Sequence, residues 1–148
     1  TNSIQAIDLV FRKVLNNKIL PNFISIIRNE IKLSSDTKEL QGFSKILEHN
    51  LKFLEKLTNW IENQIQISKD DVSAACNDYL KILGYISLAF SWFKIAKVSQ
   101  KNLSQNKTFY EEKINTAMYY YDKILPRVET HFNSAKAGSS SIMKAKFN

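Results

Sequence analysis

The chain has 148 residues, 44% of them hydrophobic and 24% charged, which is the balance of one ordinary globular domain. Only 3 Gly and 2 Pro interrupt it, so few turns are available and the segments between them must be long, which means helices. The formal charge of +7 is mostly lysine, since arginine occurs only at Arg12, Arg28 and Arg127. Lysine spread along helices is a solvated surface; a DNA-reading face would favour the planar fork of arginine, so no nucleic-acid partner is expected.

Cys76 is the only cysteine, which excludes an intrachain disulfide and fits a reducing, cytoplasmic compartment. No signal peptide is visible. The longest uncharged run, Ile82 to Phe93, lies between Lys81 and Lys94. It is shorter than the roughly 20 apolar residues a bilayer span needs, and reads as the inner helix of a bundle. The chain begins at Thr1 rather than Met, so it is expected to be a processed or excised piece of a longer polypeptide.

The first predicted helix runs from Thr1 to about Leu15, with Asn2 and Gln5 as a capping box and Ile4, Ile7, Phe11 and Val14 at helical spacing. Asn16-Asn17-Lys18 breaks it, leaving a short helix separate from the rest of the chain. A second helix is predicted from Pro21 to Leu33, with Pro in the first turn and a stripe of Ile24, Ile27 and Ile31 beside Phe23. Ser34-Ser35-Asp36 should end it and cap the third, from Thr37 to Ile67. There Leu40, Phe43, Leu47, Leu51, Leu54, Ile61 and Ile65 trace one face, widened by Ile46, Phe53, Leu57 and Trp60. So broad a stripe predicts more than one helical neighbour.

Ser68 with Asp71 should cap a fourth helix from about Asp70, its inner face running from Val72 through Ala75, Cys76, Tyr79, Leu83, Ile86 and Phe90 to Phe93. Gly84 is expected to allow close helix approach. Thr108 with Glu111 reads as the capping box of a fifth helix, in which Pro126 should kink rather than stop the pattern. Gly138 suits the C-terminal cap, and Ser139 to Ser141 should cap a last turn holding Ile142 and Met143, before a frayed tail from Lys144. The expected fold is therefore all-α: an up-and-down antiparallel four-helix bundle preceded by a short N-terminal helix.

No catalytic constellation stands out. His49 and His131 each lack a second ligand one helical turn away, so no metal is expected. Cys76 falls on an apolar face, where a thiol is inert. Asp70-Asp71 and Glu111-Glu112 sit in first helical turns, where capping and the helix dipole account for them. Of Tyr119-Tyr120-Tyr121, one or two should be core and the remainder exposed.

Two passages carry a resemblance. The opening Thr1-Asn2-Ser3-Ile4-Gln5-Ala6-Ile7-Asp8-Leu9-Val10-Phe11-Arg12-Lys13 resembles the segment after the catalytic carboxylate of acyl-CoA dehydrogenases, where a Tyr-Glu-Gly-Thr run precedes a helix with Ile-Gln near its start. Thr1 would be the Thr of that run, placing the Glu two residues upstream. Gly84-Tyr85, then Phe109 to Ala117, Ile124-Leu125-Pro126-Arg127, and the closing stretch from Ala137-Gly138 to Ile142-Met143 are similar to the extra C-terminal helical domain of a subset of that family. Residues 34 to 70 match only in helical character.

The resemblance implies that residues 1–17 are the last helix of the dehydrogenase helical domain and residues 18–148 the added bundle. It implies flavin adenine dinucleotide (FAD) as cofactor and α,β-dehydrogenation of an acyl-CoA thioester, of the medium- or long-chain or 3-methylthiopropanoyl-CoA type. The positions of Thr1, Asn2 and Ser3 would touch the flavin nucleotide, although Ser3 departs from the Gly, Asp or Gln common there. Implied partners are the rest of the dehydrogenase polypeptide, electron-transfer flavoprotein and further copies in a homo-oligomer. Without the upstream Glu this chain should be inactive alone. The competing expectation is a stand-alone helical module, interacting with proteins or a membrane surface through its lysine excess and tyrosine run.

Overall fold

The computed structural model describes residues 2–145, and every regular element among them is helical. Helix α1 (Asn2–Asp8) continues without interruption as a π-helical segment, Leu9–Asn16. The π turn keeps Val10 and Val14 in line with Ala6 of α1, and all three are buried. Lys18, with φ 50°, turns the chain. This first helix is not set apart as the sequence suggested: its buried face belongs to the same core as the rest.

Helix α2 (Leu20–Leu33) opens with Pro21 in its first turn and buries Leu20, Ile24 and Ile27. Ser34 bonds back to Glu30 O at 2.9 Å rather than capping forward. The next helix starts with a 3-10 turn, Lys38–Leu40, and no side chain caps it. Helix α3 (Gln41–Gln64) comes next, with Phe43, Leu47, Leu51, Leu54, Leu57 and Ile61 buried, as its stripe predicted.

Helix α4 (Lys69–Asn102) begins where expected: Ser68 Oγ accepts from the Asp71 N–H at 3.2 Å. It is long and apolar enough to cross a membrane by length and composition. Only part of that apolar surface serves packing: α1, α3, α5 and α6 lie against it, while Leu88, Ile95 and Val98 stay exposed. Gly84, however, has no neighbour within 4 Å of where a Cβ would stand. Among the described residues the close helix approach expected there does not occur.

Helix α5 (Lys107–Tyr119) starts two residues early, because Asn106 Oδ1 and not Thr108 takes the Phe109 N–H at 3.2 Å. A π-helical segment, Tyr120–Ile124, succeeds it, and Leu125 N–H donates to Tyr120 O at 2.9 Å. This wide turn absorbs Pro126, which has no N–H to donate, and α6 (Arg127–Lys136) continues the stripe through Val128 and Ala135. Gly138, at φ 75°, ends it as expected. A short α7 (Ser140–Met143) carries no side-chain cap; the expected tail beyond residue 145 lies outside the described residues.

Paired residues give the helix directions. Thr58 meets Tyr79 and Gln64 meets Asp71, so α3 and α4 are antiparallel. Tyr121 meets Ala89, His131 meets Asp78, and Ser139 meets Asp71, so α5 and α6 run back along α4. Lys18 reaches Glu62 while Arg28 reaches Glu48 and Glu55, so α2 is antiparallel to α3. Successive long helices therefore alternate in direction, and α4 packs against most of the others.

Candidate functional site

The polar side chains most engaged in the fold form four groups, each between helices. The first is deep. Tyr79 is fully buried, and its hydroxyl lies 2.7 Å from Thr58 Oγ1, which also bonds Leu54 O at 2.8 Å. Thr58 gives its single proton to that carbonyl, so Tyr79 must be the donor between them. Burial pushes the Tyr79 phenol above its ordinary range, because an anion there would lose its hydration.

The second group joins α4 to the α5–α6 arm. Tyr120 and Tyr121 are buried while Tyr119 is 61% exposed, which is the division expected of the tyrosine run. Tyr120 donates to Tyr85 O at 2.9 Å and Tyr121 to Ala89 O at 2.8 Å, both carbonyls of α4. Burial raises both phenols, that of Tyr120 to about 12. Further along the arm, His131 Nδ1 lies 2.7 Å from Asp78 Oδ1, with its ring stacked 5.7 Å from that of Tyr85. A carboxylate only accepts, so the imidazole nitrogen carries the proton.

The third group centres on Asp71. Its Oδ1 accepts from Ser139 N and Oγ at 2.8 and 2.7 Å, and its Oδ2 from Gln64 Nε2 at 2.8 Å. Those bonds, Ser139 first, hold its carboxyl below the ordinary carboxylate range. Capping and dipole compensation therefore describe Asp71 incompletely: it ties the end of α3 and the segment after α6 to the start of α4.

The fourth group was not anticipated. Arg28 donates to both Glu48 and Glu55, with closest approaches of 2.7 Å to each. The Glu48 and Glu55 carboxylates raise the guanidinium above its ordinary range. Lys18 pairs with Glu62 at 2.6 Å, and Lys97 of α4 with Glu30 at 2.5 Å. Glu48, Glu55 and Glu62 recur every seventh residue, a row along one side of α3 that was readable in the sequence. Lys18, Glu62, Arg28 and Glu55 line an open cleft of about 770 Å³ between α2 and α3, together with the apolar Val14, Leu20, Pro21 and Ile24.

Cys76 is buried, its thiol bonded to Val72 O and pushed up to about 11 by burial. His49 packs edge-on against Phe53. Among the described residues no three His, Cys, Asp or Glu side chains converge as a metal site would require. Asn2 and Ser3 are exposed at the start of α1, and Thr1 lies outside the described residues. Free N–H groups at a helix start suit a phosphate, which is the chemistry the expected contacts would use. Neither residue lines any of three clefts between the helices.

The described residues are all-helical, and their polar groups join helix to helix. The chain belongs to the family described as acetyl-CoA dehydrogenase C-terminal like, whose model matches residues 23–146. It is thus a C-terminal region of an acyl-CoA dehydrogenase-like protein. None of the curated proteins compared with it matches.

Proposed function

We propose that this chain is the helical buttress of an FAD-dependent acyl-CoA dehydrogenase and that the reaction is carried out by residues outside it. The family match over 23–146 carries this reading. It begins after the first helix, which supports taking residues 1–17 as the last helix of the dehydrogenase helical domain and 18–148 as the added bundle. FAD supplies the hydride acceptor when bound, while a carboxylate upstream of Thr1 removes the α-proton of the acyl-CoA thioester. This chain's share is positional. Thr1, Asn2 and Ser3 would lie along the flavin's nucleotide, with the start of α1 offering N–H groups to phosphate.

The packing of α1 fits that role. Ala6 of α1, with Val10 and Val14 of its π-helical continuation, is buried in the core, while Ile4 and Ile7 remain 73% and 43% exposed on the other side. One face therefore grips this domain and the other is free for the dehydrogenase body. The bundle would hold the flavin edge at a fixed place relative to that body, and would support contacts between copies in a homo-oligomer. Electron-transfer flavoprotein would accept electrons from the whole enzyme, in a reducing, cytoplasmic compartment.

The reading is tested by purifying this chain and its full parent side by side. The parent should carry flavin absorbance and the chain alone none. Stoichiometric flavin on the isolated chain would overturn the division of labour, since the walls of the site would then lie within these residues.

A further inference from the structure

The exposed apolar side chains are not scattered evenly. On α4, Leu88, Ile95 and Val98 are 53%, 37% and 55% exposed, and Phe109 at the start of α5 is 48% exposed. Residues 88, 95 and 98 follow helical spacing, with Trp92 between them, so they form one strip. Its C-terminal half forms an open groove of about 590 Å³ between the antiparallel α4 and α5. Trp92, Ile95, Val98, Phe109 and Tyr110 line it. Aromatic side chains are the residues that anchor protein interfaces, because each covers a large area at small entropic cost.

The charges of the groove have one sign. Lys94 and Lys113 line it and no carboxylate does; Glu111 and Glu112 of α5 are not among its walls. Each ammonium rests over an aromatic ring, Lys94 at 4.6 Å from Phe90 and Lys113 at 5.2 Å from Phe109. Among the described residues neither lysine forms an ion pair. The opposite side of α4 differs, since Lys97 there is paired with Glu30. An apolar groove between two helices takes a third helix, whose anchors recur every three or four residues. Two unpaired cations beside it select a helix whose flanks are acidic.

We propose that the α4–α5 groove is a docking site for an acidic amphipathic helix of a partner protein. The partner would lay an apolar stripe over Trp92, Val98 and Phe109 and set carboxylates against Lys94 and Lys113.

The test uses a labelled synthetic helical peptide with Leu at the stripe positions and Glu elsewhere, its Lys-for-Glu counterpart, and the intact polypeptide, read by fluorescence anisotropy. The Glu peptide should bind and the Lys peptide should not. Lys94→Glu with Lys113→Glu should weaken binding at least tenfold and reduce its salt dependence. Val98→Asp, at an exposed position, should abolish binding without loss of helix content. Equal binding of both peptides, or binding indifferent to all three substitutions, would overturn the proposal. So would the absence of peptide binding alongside salt-sensitive binding of phosphatidylcholine–phosphatidylserine vesicles that Val98→Asp removes, which would assign the groove to a lipid surface.

Discussion

Thr58 and Tyr79 form a buried pair whose two ends are unequal. Thr58→Val keeps the shape but removes the only acceptor of the Tyr79 hydroxyl, which is fully buried. An orphaned buried donor costs about 1–3 kcal/mol, so a loss of about 2 kcal/mol is expected. Tyr79→Phe removes the donor instead. Thr58 keeps its bond to Leu54 O at 2.8 Å, so the loss should be about 1 kcal/mol, the ordinary net worth of one hydrogen bond. The double variant leaves no orphan, and should be no less stable than Tyr79→Phe alone by more than a few tenths of a kcal/mol. The additive sum would be about 3 kcal/mol, so the coupling is about 2 kcal/mol. Urea unfolding followed by helical circular dichroism, with the slope m checked for constancy, measures all four proteins. A double variant that loses the additive sum, or a Thr58→Val no worse than Tyr79→Phe, would refute the donor assignment and the burial argument together.

Two glycines should respond to substitution with opposite signs. Gly138→Ala puts a Cβ at φ 75° and 3.0 Å from Asp71 Oδ1, and should lower stability by about 1–2 kcal/mol, whereas Gly84→Ala meets nothing within 4 Å and should raise it by about 0.5–1 kcal/mol; thermal melts check both. Asp71 has a depressed folded-state pKa, so its contribution is present above the ordinary value of 3.8 and lost as pH falls through the lower folded value. Asp71→Asn should therefore flatten the acid limb of a plot of Tm against pH, and an unchanged limb would contradict the role given to Ser139. Arg28→Met should lower stability by about 1 kcal/mol at low salt and less at high salt, because the Arg28–Glu48 and Arg28–Glu55 pairs are partly exposed and screened. The Cys76 thiol, buried and with its pKa pushed up to about 11, should resist alkylation until denaturant is added.

The helices were legible because each carries its own apolar stripe. Ile24 and Ile27, Leu47 to Ile61, and Val72 to Phe93 are local patterns that need no knowledge of partners. Ser68 with Asp71 was legible for the same reason. At the start of α5 two cap patterns compete two residues apart. The Glu at 111 favoured Thr108, but Asn is the stronger cap and starts the helix earlier, so Asn106 prevails. The π turns at Leu9–Asn16 and Tyr120–Ile124 have no local signature beyond Pro126 after the second. Pairings such as Arg28 with Glu48 and Glu55, or His131 with Asp78, depend on which helix faces come together. For Gly84 the sequence shows that a close approach is possible, not whether a neighbour makes one. The flavin contacts expected of Thr1, Asn2 and Ser3 depend on walls that none of the described clefts supplies.

The native polypeptide's sequence immediately before Thr1 tests the functional account most directly. Peptide sequencing of the protein from its source should read Tyr-Glu-Gly leading into Thr1-Asn2-Ser3, with the Glu placed to take a proton. A native polypeptide whose first residue, or first residue after an initiator Met, is Thr1 would contradict the dehydrogenase reading and leave the bundle's fold as described.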